Sequence, residues 1–220
     1  MGVDDPKHPE ETGATKWVAI ARVLQLAGKL KRLRRKGWVD RGVPEPESVA
    51  DHSYRLALAT LLLAARNPEL DVERAVTLAL VHDLPETIAG DATPFDEILS
   101  RQEADRAEVF RRSPEWDPEA RTAKITAERS AIDEMVRDLP RGTSELISEA
   151  WEEYTAGETP EARLVRQVDK LETWLQALEY RSRDPELVVE SFRIGVWRDV
   201  VDADLRELLE ALEALMNRSQ

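Results

Sequence analysis

Two side chains that bind metals well, His82 and Asp83, stand next to each other in the apolar segment 79–84. A buried carboxylate beside a buried imidazole costs several kcal/mol unless something compensates, and a divalent cation is the usual compensation. A hydrogen-bonded His–Asp pair in a protein core is the alternative for these two residues alone. The metal is favoured because His52 lies upstream and Asp169 interrupts a second apolar helix. We therefore predict one divalent cation held by three separate segments.

The predicted ligands, His52, His82, Asp83 and Asp169, supply two nitrogen and two oxygen atoms. An octahedral cation would keep two positions open, where it could hold a water and a substrate oxygen and lower the pKa of that water. Zn, Mn, Fe, Co and Ni all accept such mixed ligands, whereas Mg suits two imidazoles less well. The predicted cofactor is one divalent metal ion, and its identity stays open.

Composition narrows the possible partners and the compartment. The chain has 220 residues, a net charge of −13 and no cysteine. The acidic balance repels polyanions, which argues against nucleic acid polymers and leaves small molecules as partners. The absence of cysteine from the sequence excludes disulfides, thiolate catalysis and thiolate metal sites. The longest apolar stretch, 56–65, is too short to cross a bilayer, so we expect a cytoplasmic protein without a membrane partner.

The predicted domain organisation is simple. We expect residues 1–15, which include His8, to form a flexible tail rather than a signal peptide, because they are charged and rich in Pro and Gly. Residues 16–220 are long enough for one sizeable core. They are predicted to form a single domain with a C-terminal helical extension.

Three-four spacing of apolar residues predicts helices nearly everywhere from residue 16 onward. The first is expected to stop at Gly37, behind a basic run that suits a helix C-terminus. The segment 37–46 has two Gly and two Pro and is predicted to be a loop. Ser48 and Asp51 then have the pattern of a capping box, which places His52 in the first turn of the next helix.

The following elements should position the remaining candidates. Asp71 is predicted to cap the helix that delivers the His-Asp pair, and Pro85 to end it. The turn 86–94 comes next and adds the carboxylates Glu86 and Asp91. Later helices are predicted near 95–112, 118–138 and 144–155, from Thr159-Pro160 past Asp169, and through the leucine repeat 205–215. Because no alternating strand pattern is long enough to support a sheet, the predicted fold class is all-α.

Taken in order, these residues resemble a known superfamily. His52, the pair His82-Asp83 and Asp169 are similar to the H…HD…D signature of the HD-domain metal-dependent phosphohydrolases. Within it, the segments 47–53 and 82–86, together with Trp38 and Gly90-Asp91, resemble the 5'-deoxynucleotidase branch of the HD domain-containing protein 2 type. The resemblance runs from about residue 30 to residue 180. The ordered set of motifs is much more specific than a single His-Asp dipeptide.

The resemblance implies an all-helical HD-domain bundle, a homodimer and hydrolysis of nucleoside 5'-monophosphates, deoxyribonucleotides foremost, to nucleoside and phosphate. It implies metal ligation by His52, His82, Asp83 and Asp169. Glu86 would handle a proton or steer the water, beside the catalytic ligand Asp83. Asp91 would bind the sugar hydroxyl, and Trp38 would wall the sugar pocket. Water activated by the metal would attack phosphorus in line.

The sequence departs from the family at Gly37. Bacterial members have an Arg directly before the Trp, whereas a Gly cannot clamp a phosphate through its side chain. Gly-Trp also occurs in the protein 2 type, so the change does not imply inactivity. Candidates for the replacing cation are, in falling order of preference, Arg41, Arg55, Lys36 and Lys170.

Several alternatives stay open. Glu86 could be a surface residue, Asp91 could cap a turn, and Trp38 could anchor a loop on the core. With His8 in the tail, two histidines remain, which is too few for the two-metal relatives, so we predict a mononuclear centre. Two other functions remain possible. One is nucleotide binding without turnover, and the other is hydrolysis of a modified nucleotide or a nucleoside triphosphate.

Overall fold

The structure, a computed structural model, describes residues 13–101 and 105–217. The regular structure of these residues is helical, apart from one isolated antiparallel β-bridge between Arg34 and Ser48. The predicted all-α fold class is therefore confirmed. The helices, with a 3₁₀ helix at Gly28–Lys31 after the first, are α1 (Gly13–Ala27), α2 (Lys36–Val39), α3 (Val49–Ala64), α4 (Val72–Val81), α5 (Glu86–Ala89), α6 (Asp96–Leu99), α7 (Arg106–Phe110), α8 (Pro118–Val136), α9 (Arg141–Ala156), α10 (Pro160–Arg183), α11 (Glu190–Asp199) and α12 (Ala203–Asn217).

Local sequence decides where the longer site-bearing helices begin. The Ser48 hydroxyl accepts from the Asp51 amide at 3.1 Å, and the Asp51 carboxylate accepts from the Ser48 amide at 2.8 Å. This confirms the predicted capping box of α3. Asp71 caps α4 by accepting from an amide of its first turn at 2.9 Å, as predicted. Thr159 caps α10 in the same way, and Pro160 occupies the first turn.

The central element of the bundle is α10, which packs against α3, α4, α9, α11 and α12. Its buried apolar side chains are Val165, Val168, Leu171, Trp174 and Leu178. Burying each such side chain stabilises a fold by about 1.5–3 kcal/mol. This packing fixes the helix, so the buried acids Asp169 and Glu172 stand at defined positions among apolar neighbours.

The leucine repeat of α12 packs on the core of its own chain. Leu205 and Leu209 are 2% and 0% exposed, and Leu208 and Leu212 pack against the same cluster. The repeat therefore contributes to the core, which was the preferred interpretation over a dimer seam.

The prediction that the first helix continues to Gly37 is wrong. The helix α1 ends at Ala27, and Gly37 and Trp38 lie inside α2 rather than in a loop. Long-range backbone hydrogen bonds redirect the chain here, since the Val49 amide donates to the Leu33 carbonyl and the Arg35 amide to the Glu47 carbonyl, at 2.9 and 3.0 Å. These contacts override the local helical pattern.

The prediction of one helix near 95–112 is also wrong. Two short helices, α6 and α7, lie on either side of residues 102–104, which fall outside the described part of the chain. Phe95, just before α6, packs with Val109 and Phe110 of α7 in a small cluster, a contact that residues so far apart on one continuous helix could not make. The predicted turn 86–94 begins with the helical turn α5, and α11 was not predicted.

The predicted tail lies almost entirely outside the described residues. The helix α1 already begins at Gly13, three residues before the expected start. His8, which was placed in the predicted tail, lies outside the described residues. Among the helices that are described, none combines the length and the apolar character that crossing a membrane requires.

Candidate metal centre

The four predicted ligands come together from three elements. His52 lies near the start of α3, His82 and Asp83 directly follow α4, and Asp169 lies within α10. The carboxylate Oδ2 of Asp83 is 2.9 Å from His82 Nε2 and 3.9 Å from His52 Nε2. Asp169 Oδ1 is 3.3 Å from His52 Nε2. His52, His82 and Asp83 offer ligand atoms that all lie within 4.8 Å of one another, and Asp169 borders this group through its contact with His52 Nε2.

The orientation of both imidazoles fits a divalent cation. His82 Nδ1 lies 2.8 Å from the Ala79 carbonyl, to which it can only donate, so the lone pair of Nε2 is directed into the cluster. His52 Nδ1 contacts the Glu172 carboxylate, and its buried Nε2 has no hydrogen-bond partner among the described residues. Buried polar atoms are nearly always paired. A cation between Nε2 and the carboxylates would satisfy this atom.

Neighbouring positive charge keeps both ligand carboxylates ionised. Burial raises the pKa of Asp83, but the two imidazoles and Arg35 outweigh burial and hold that pKa well below its usual range. Burial likewise opposes ionisation of Asp169, yet Lys170 and His52 hold its pKa well below the usual range. Ionised carboxylates are the form that ligates a metal.

His52 is the predicted ligand whose protonation would compete with a metal. Burial and the charge of Arg35 lower the pKa of His52, whereas Glu172 and Asp169 outweigh them and raise it to about 9. A metal requires the neutral imidazole and displaces the proton. The same negative surroundings that favour the proton also favour a divalent cation.

Glu86 stands at the start of α5 and is 5% exposed. Its Oε2 is buried without a hydrogen-bond partner among the described residues, and its Oε1 is 3.9 Å from Lys124 Nζ of α8. Burial, then Asp83 and Asp91, raise the pKa of Glu86 well above its usual range, against the lowering effect of Lys124 and Arg35. A carboxyl group with a raised pKa is suited to accept and return a proton near neutral pH.

Arg35 is a cation of the site that the sequence reasoning missed. Its Nη1 is 3.7 Å from Asp83 Oδ2, and its Nη2 donates to Thr173 Oγ1 at 3.3 Å. Burial lowers the pKa of Arg35, but the carboxylates Asp91 and Asp83 outweigh burial and raise it above its usual value. Arg35 belongs to the basic run that was assigned to a helix end, which is why its role was not recognised.

The absence of a side chain at Gly37 leaves room for the Phe192 ring, at the position where bacterial members of the family have an arginine. A Cβ at Gly37 would lie 3.3 Å from Phe192 Cζ, which is tighter than an ordinary contact. An arginine side chain at this position would have to displace the ring. Arg35, two residues earlier, is the positive charge that lies near Asp83, with its Nη1 3.7 Å from Oδ2.

Asp91 lies beside the same cation. Its Oδ2 accepts from the Lys36 amide, the first amide of α2, at 2.7 Å. Burial raises the pKa of Asp91, while Arg35 and the Lys36 amide lower it, and the net shift is upward. Asp91 therefore caps α2 and interacts electrostatically with Arg35 at the edge of the ligand cluster.

Trp38 is a core residue in this structure. Its side chain is 1% exposed, and its ring lies 5.1 Å from the Tyr180 ring and 4.4 Å from the Phe192 ring. Its Nε1 donates to Glu47 Oε1 at 2.9 Å. The ring is thus enclosed by protein rather than open to a sugar, and its predicted substrate contact stays a prediction.

Two of the candidate cations use their donors within the protein. The Arg41 guanidinium donates to the Gly37 carbonyl, the Val188 carbonyl and the Ser191 hydroxyl, and lies 4.0 Å from the ring centres of Phe110 and Phe192. The Arg55 guanidinium donates to Glu172, Gln176 and Glu179 of α10. All three nitrogens of each guanidinium are therefore already engaged by groups of the protein.

The two candidate lysines are more accessible. Lys36 Nζ pairs with Asp40 at 2.7 Å and with Asp96 at 2.9 Å. Lys170 Nζ lies 2.8 Å from Asp169 Oδ2, and its side chain is 44% exposed. Lys170 therefore touches a predicted ligand directly, whereas Lys36 is held at the edge of α2.

Three more residues of the site were not predicted. Lys124 faces Glu86 and is paired with Glu128, and no local pattern in α8 indicates this position. Tyr154 lies with its hydroxyl 3.5 Å from Asp169 Oδ2. Glu172 follows Asp169 by three residues, which puts both acids on one face of α10, and this spacing could have identified it.

Comparison with known proteins agrees with this geometry. The HD domain family matches residues 27–208. The 5'-deoxynucleotidase HDDC2 of Mus musculus is 38% identical over 161 residues, 73% of this chain and 69% of the relative. The 5'-deoxynucleotidase hdd1 of Schizosaccharomyces pombe is 34% identical over 170 residues, 77% of this chain and 76% of the relative. A conserved hypothetical protein from Pyrococcus furiosus has a similar solved structure, with a TM-score of 0.64, 32% identity and coverage of 88% of this chain and 99% of that one.

The bundle is all-helical, and it brings together two histidines and two aspartates in the order H…HD…D. This combination is typical of a class of proteins that bind divalent metals. The chain belongs to the HD domain family, since the match covers most of its length. The predicted family is confirmed.

Proposed function

We propose that this protein is a metal-dependent phosphohydrolase that cleaves nucleoside 5'-monophosphates, deoxyribonucleotides foremost, to nucleoside and phosphate. The observation that carries the proposal is the gathering of the four predicted ligands around the buried His52 Nε2, which has no hydrogen-bond partner among the described residues and lies 3.3 Å from Asp169 Oδ1. The similarity to proteins named 5'-deoxynucleotidase supports the choice of substrate. The net charge of −13 supports a mononucleotide rather than a nucleic acid polymer.

His52, His82, Asp83 and Asp169 would hold one divalent ion, for which Mn, Co, Zn, Fe, Ni and Mg are all candidates. When bound, the ion supplies Lewis-acid chemistry, which polarises a phosphate oxygen and lowers the pKa of a water. The ligands themselves contribute placement, because they come from three helices locked into one core. A preorganised cluster of this kind needs little rearrangement as the reaction proceeds.

Glu86 is the proposed proton carrier. In the reaction a water oxygen forms a bond to phosphorus while the bond from phosphorus to the 5' oxygen of the sugar breaks. Glu86 accepts a proton from the water and returns it to the leaving oxygen, so the carboxyl group is regenerated. Its buried, partnerless Oε2 and its raised pKa support this role.

The cations Arg35 and Lys124 are proposed to offset the charge of the phosphate, with Lys170 at the rim. Arg35 Nη1 lies 3.7 Å from Asp83 Oδ2, and Lys124 Nζ lies 3.9 Å from Glu86 Oε1. Arg35 directly precedes α2 and Lys124 lies on α8, so the two cations approach from different elements. Positive groups fixed where negative charge develops stabilise a phosphoryl-transfer transition state. Asp91 is proposed to bind the sugar hydroxyl, and Trp38, whose ring is buried against Tyr180 and Phe192, to back the wall of the sugar pocket.

The protein is further proposed to act as a cytoplasmic homodimer. An exposed apolar face on α3 supports the dimer: Tyr54, Leu58, Leu61 and Leu62 are 71%, 42%, 44% and 62% exposed. Their spacing places them on one side of the helix. A two-fold dimer would bury the same face on both subunits. The cysteine-free sequence is compatible with the reducing cytoplasm.

The activity is tested by phosphate release from ribo- and deoxyribonucleoside 5'-monophosphates and triphosphates, with Mn, Co, Mg or a chelator in parallel. The proposal expects release from deoxyribonucleoside monophosphates with metal and none with chelator. Release only from triphosphates would replace the substrate assignment. Thermal stabilisation by nucleotide without release under any metal would overturn the enzyme and favour a binding protein.

A further inference from the structure

Glu172 is a buried carboxylate that the proposed reaction does not use. It lies on α10 one turn after Asp169 and is 3% exposed. Its Oε2 contacts His52 Nδ1, and its Oε1 accepts from Arg55 Nε at 2.7 Å. One oxygen of Glu172 therefore binds the imidazole of His52, and the other binds the guanidinium of Arg55. Burying a carboxylate is costly unless such partners compensate, so its presence beside a ligand calls for a role.

We propose that Glu172 and Arg55 form an outer layer of the metal site that orients His52. Glu172 is a positioning residue: it acts on the cation only through the imidazole. Arg55 in turn holds Glu172. The inference rests on the proposed metal-dependent function, but it concerns how the metal is held rather than which substrate is cleaved.

The contact with Glu172 determines which nitrogen of His52 faces the ligand cluster. An ionised carboxylate can only accept, so Nδ1 must carry the hydrogen. In a neutral imidazole, Nε2 then has the free lone pair, and Asp169 Oδ1 lies 3.3 Å from it. His82 has the same arrangement, since its Nδ1 is held by the Ala79 carbonyl. Both histidines thus present Nε2 to one point, and both are fixed through Nδ1.

Arg55 is held tightly enough to fix Glu172 in turn. Its Nη1 donates to both carboxylate oxygens of Glu179, at 3.0 and 2.9 Å, and its Nη2 donates to Gln176 Oε1 at 2.6 Å. These partners, with Glu172, are spaced along one face of α10, so the guanidinium is held at several points of that helix. This assigns Arg55 to positioning, although the sequence had offered it as a phosphate contact.

A second cation at Nδ1 is the competing explanation. Glu47, His52 and Glu172 also offer ligand atoms close enough to hold a metal. Such an ion would displace the contact between His52 Nδ1 and Glu172. The two arrangements differ in metal stoichiometry and in the position of the imidazole hydrogen.

The test compares Glu172→Gln with the matched control Glu153→Gln. Glu153 is also a largely buried carboxylate paired with an arginine, Arg74 at 2.6 Å, but it contacts none of the four ligands. The dissociation constant for Zn²⁺ is measured by chelator competition. Glu172→Gln is expected to weaken Zn²⁺ binding about 10–100-fold, the range typical of outer-layer partners. Glu153→Gln is expected to leave it close to that of the native protein.

A second measurement needs no variant. Long-range ¹H–¹⁵N spectra of the histidine rings in the Zn²⁺-loaded native protein report which nitrogen carries hydrogen. The proposal expects hydrogen on Nδ1 of His52 and one Zn²⁺ per chain. Hydrogen on Nε2, or two Zn²⁺ ions with His52 carrying none, would overturn it, even if Glu172→Gln failed to fold.

These measurements distinguish failure of the positioning role of Glu172 from failure of the proposed nucleotidase activity. If the native protein binds Zn²⁺ as expected but cleaves no nucleotide, the positioning role stands and the activity fails. If Glu172→Gln only lowers the melting temperature and keeps native Zn²⁺ affinity, Glu172 is a structural residue and the inference fails. Glu172→Asp provides the conservative comparison and is expected to recover part of the lost affinity.

Discussion

At the scale of single residues, the sequence indicated the four predicted ligands but not the charged groups that surround them. His52, His82, Asp83 and Asp169 were predicted because polar residues in apolar helices are costly and therefore informative. Arg35 and Lys124 carry no such signal, since charged residues in helices usually face solvent. Only the packed structure shows that their side chains approach Asp83 and Glu86.

Asp169 gives the first prediction at this scale. Asp169→Asn removes ligand charge at nearly constant volume, so nucleotidase activity should fall to background while the helical circular dichroism spectrum stays native. The exposed Asp133 of α8 provides the control Asp133→Asn, which should keep full activity. Full activity in Asp169→Asn would show that Asp169 is not a ligand.

Lys124 gives a prediction of pH dependence. Its charge lowers the pKa of Glu86, which burial has raised. Lys124→Met removes that charge, so the carboxylate is less favoured and the pKa of Glu86 rises further. If Glu86 must be ionised to accept a proton, the acid limb of kcat/KM should move to higher pH. Lys29→Met, at an exposed position, should leave the acid limb of the kcat/KM profile at its native pH. An acid limb that is unchanged, or moves to lower pH, in Lys124→Met would contradict the role of Glu86.

At the scale of helices, the elements with strong local signals were predicted well. The caps Ser48, Asp71 and Thr159 start α3, α4 and α10 as expected, because each side chain acts on amides only a few residues away. The failures lie where distant residues decide. The chain turns after α1 through hydrogen bonds to residues 47–49, and the segment 95–112 is divided by its own aromatic cluster.

The cap of α4 gives a prediction about the stability of a single helix. Asp71→Ala removes the acceptor for an amide of the first turn and should cost about 1 kcal/mol of unfolding free energy. For a chain of this size that corresponds to a fall of roughly 2–4 °C in Tm. Because the far end of α4 carries the ligands, KM should stay unchanged. Asp133→Ala, away from any cap, should not lower Tm. Equal losses in both variants would indicate that the cap contributes nothing.

At the scale of the whole molecule, the proposed dimer is testable by mass. The chain has a mass of 25.0 kDa, so sedimentation equilibrium should give about twice that value for the native protein. Leu62→Glu places a charge on the exposed face of α3 and should give the single-chain mass with a native fold. Leu146→Glu, at an exposed site on α9, should remain dimeric. A native protein that is monomeric at all concentrations would remove the dimer, and a dimeric Leu62→Glu would move it to another face.

The central claim is that one divalent cation joins three remote segments of this chain. The most direct measurement is anomalous diffraction at the zinc edge from crystals soaked in Zn²⁺. The account predicts one peak per chain, with His52 Nε2 and His82 Nε2 at about 2.0–2.1 Å and carboxylate oxygens of Asp83 and Asp169 at about 2.0–2.2 Å from it. A peak elsewhere, or these four groups standing apart with no peak between them, would contradict it.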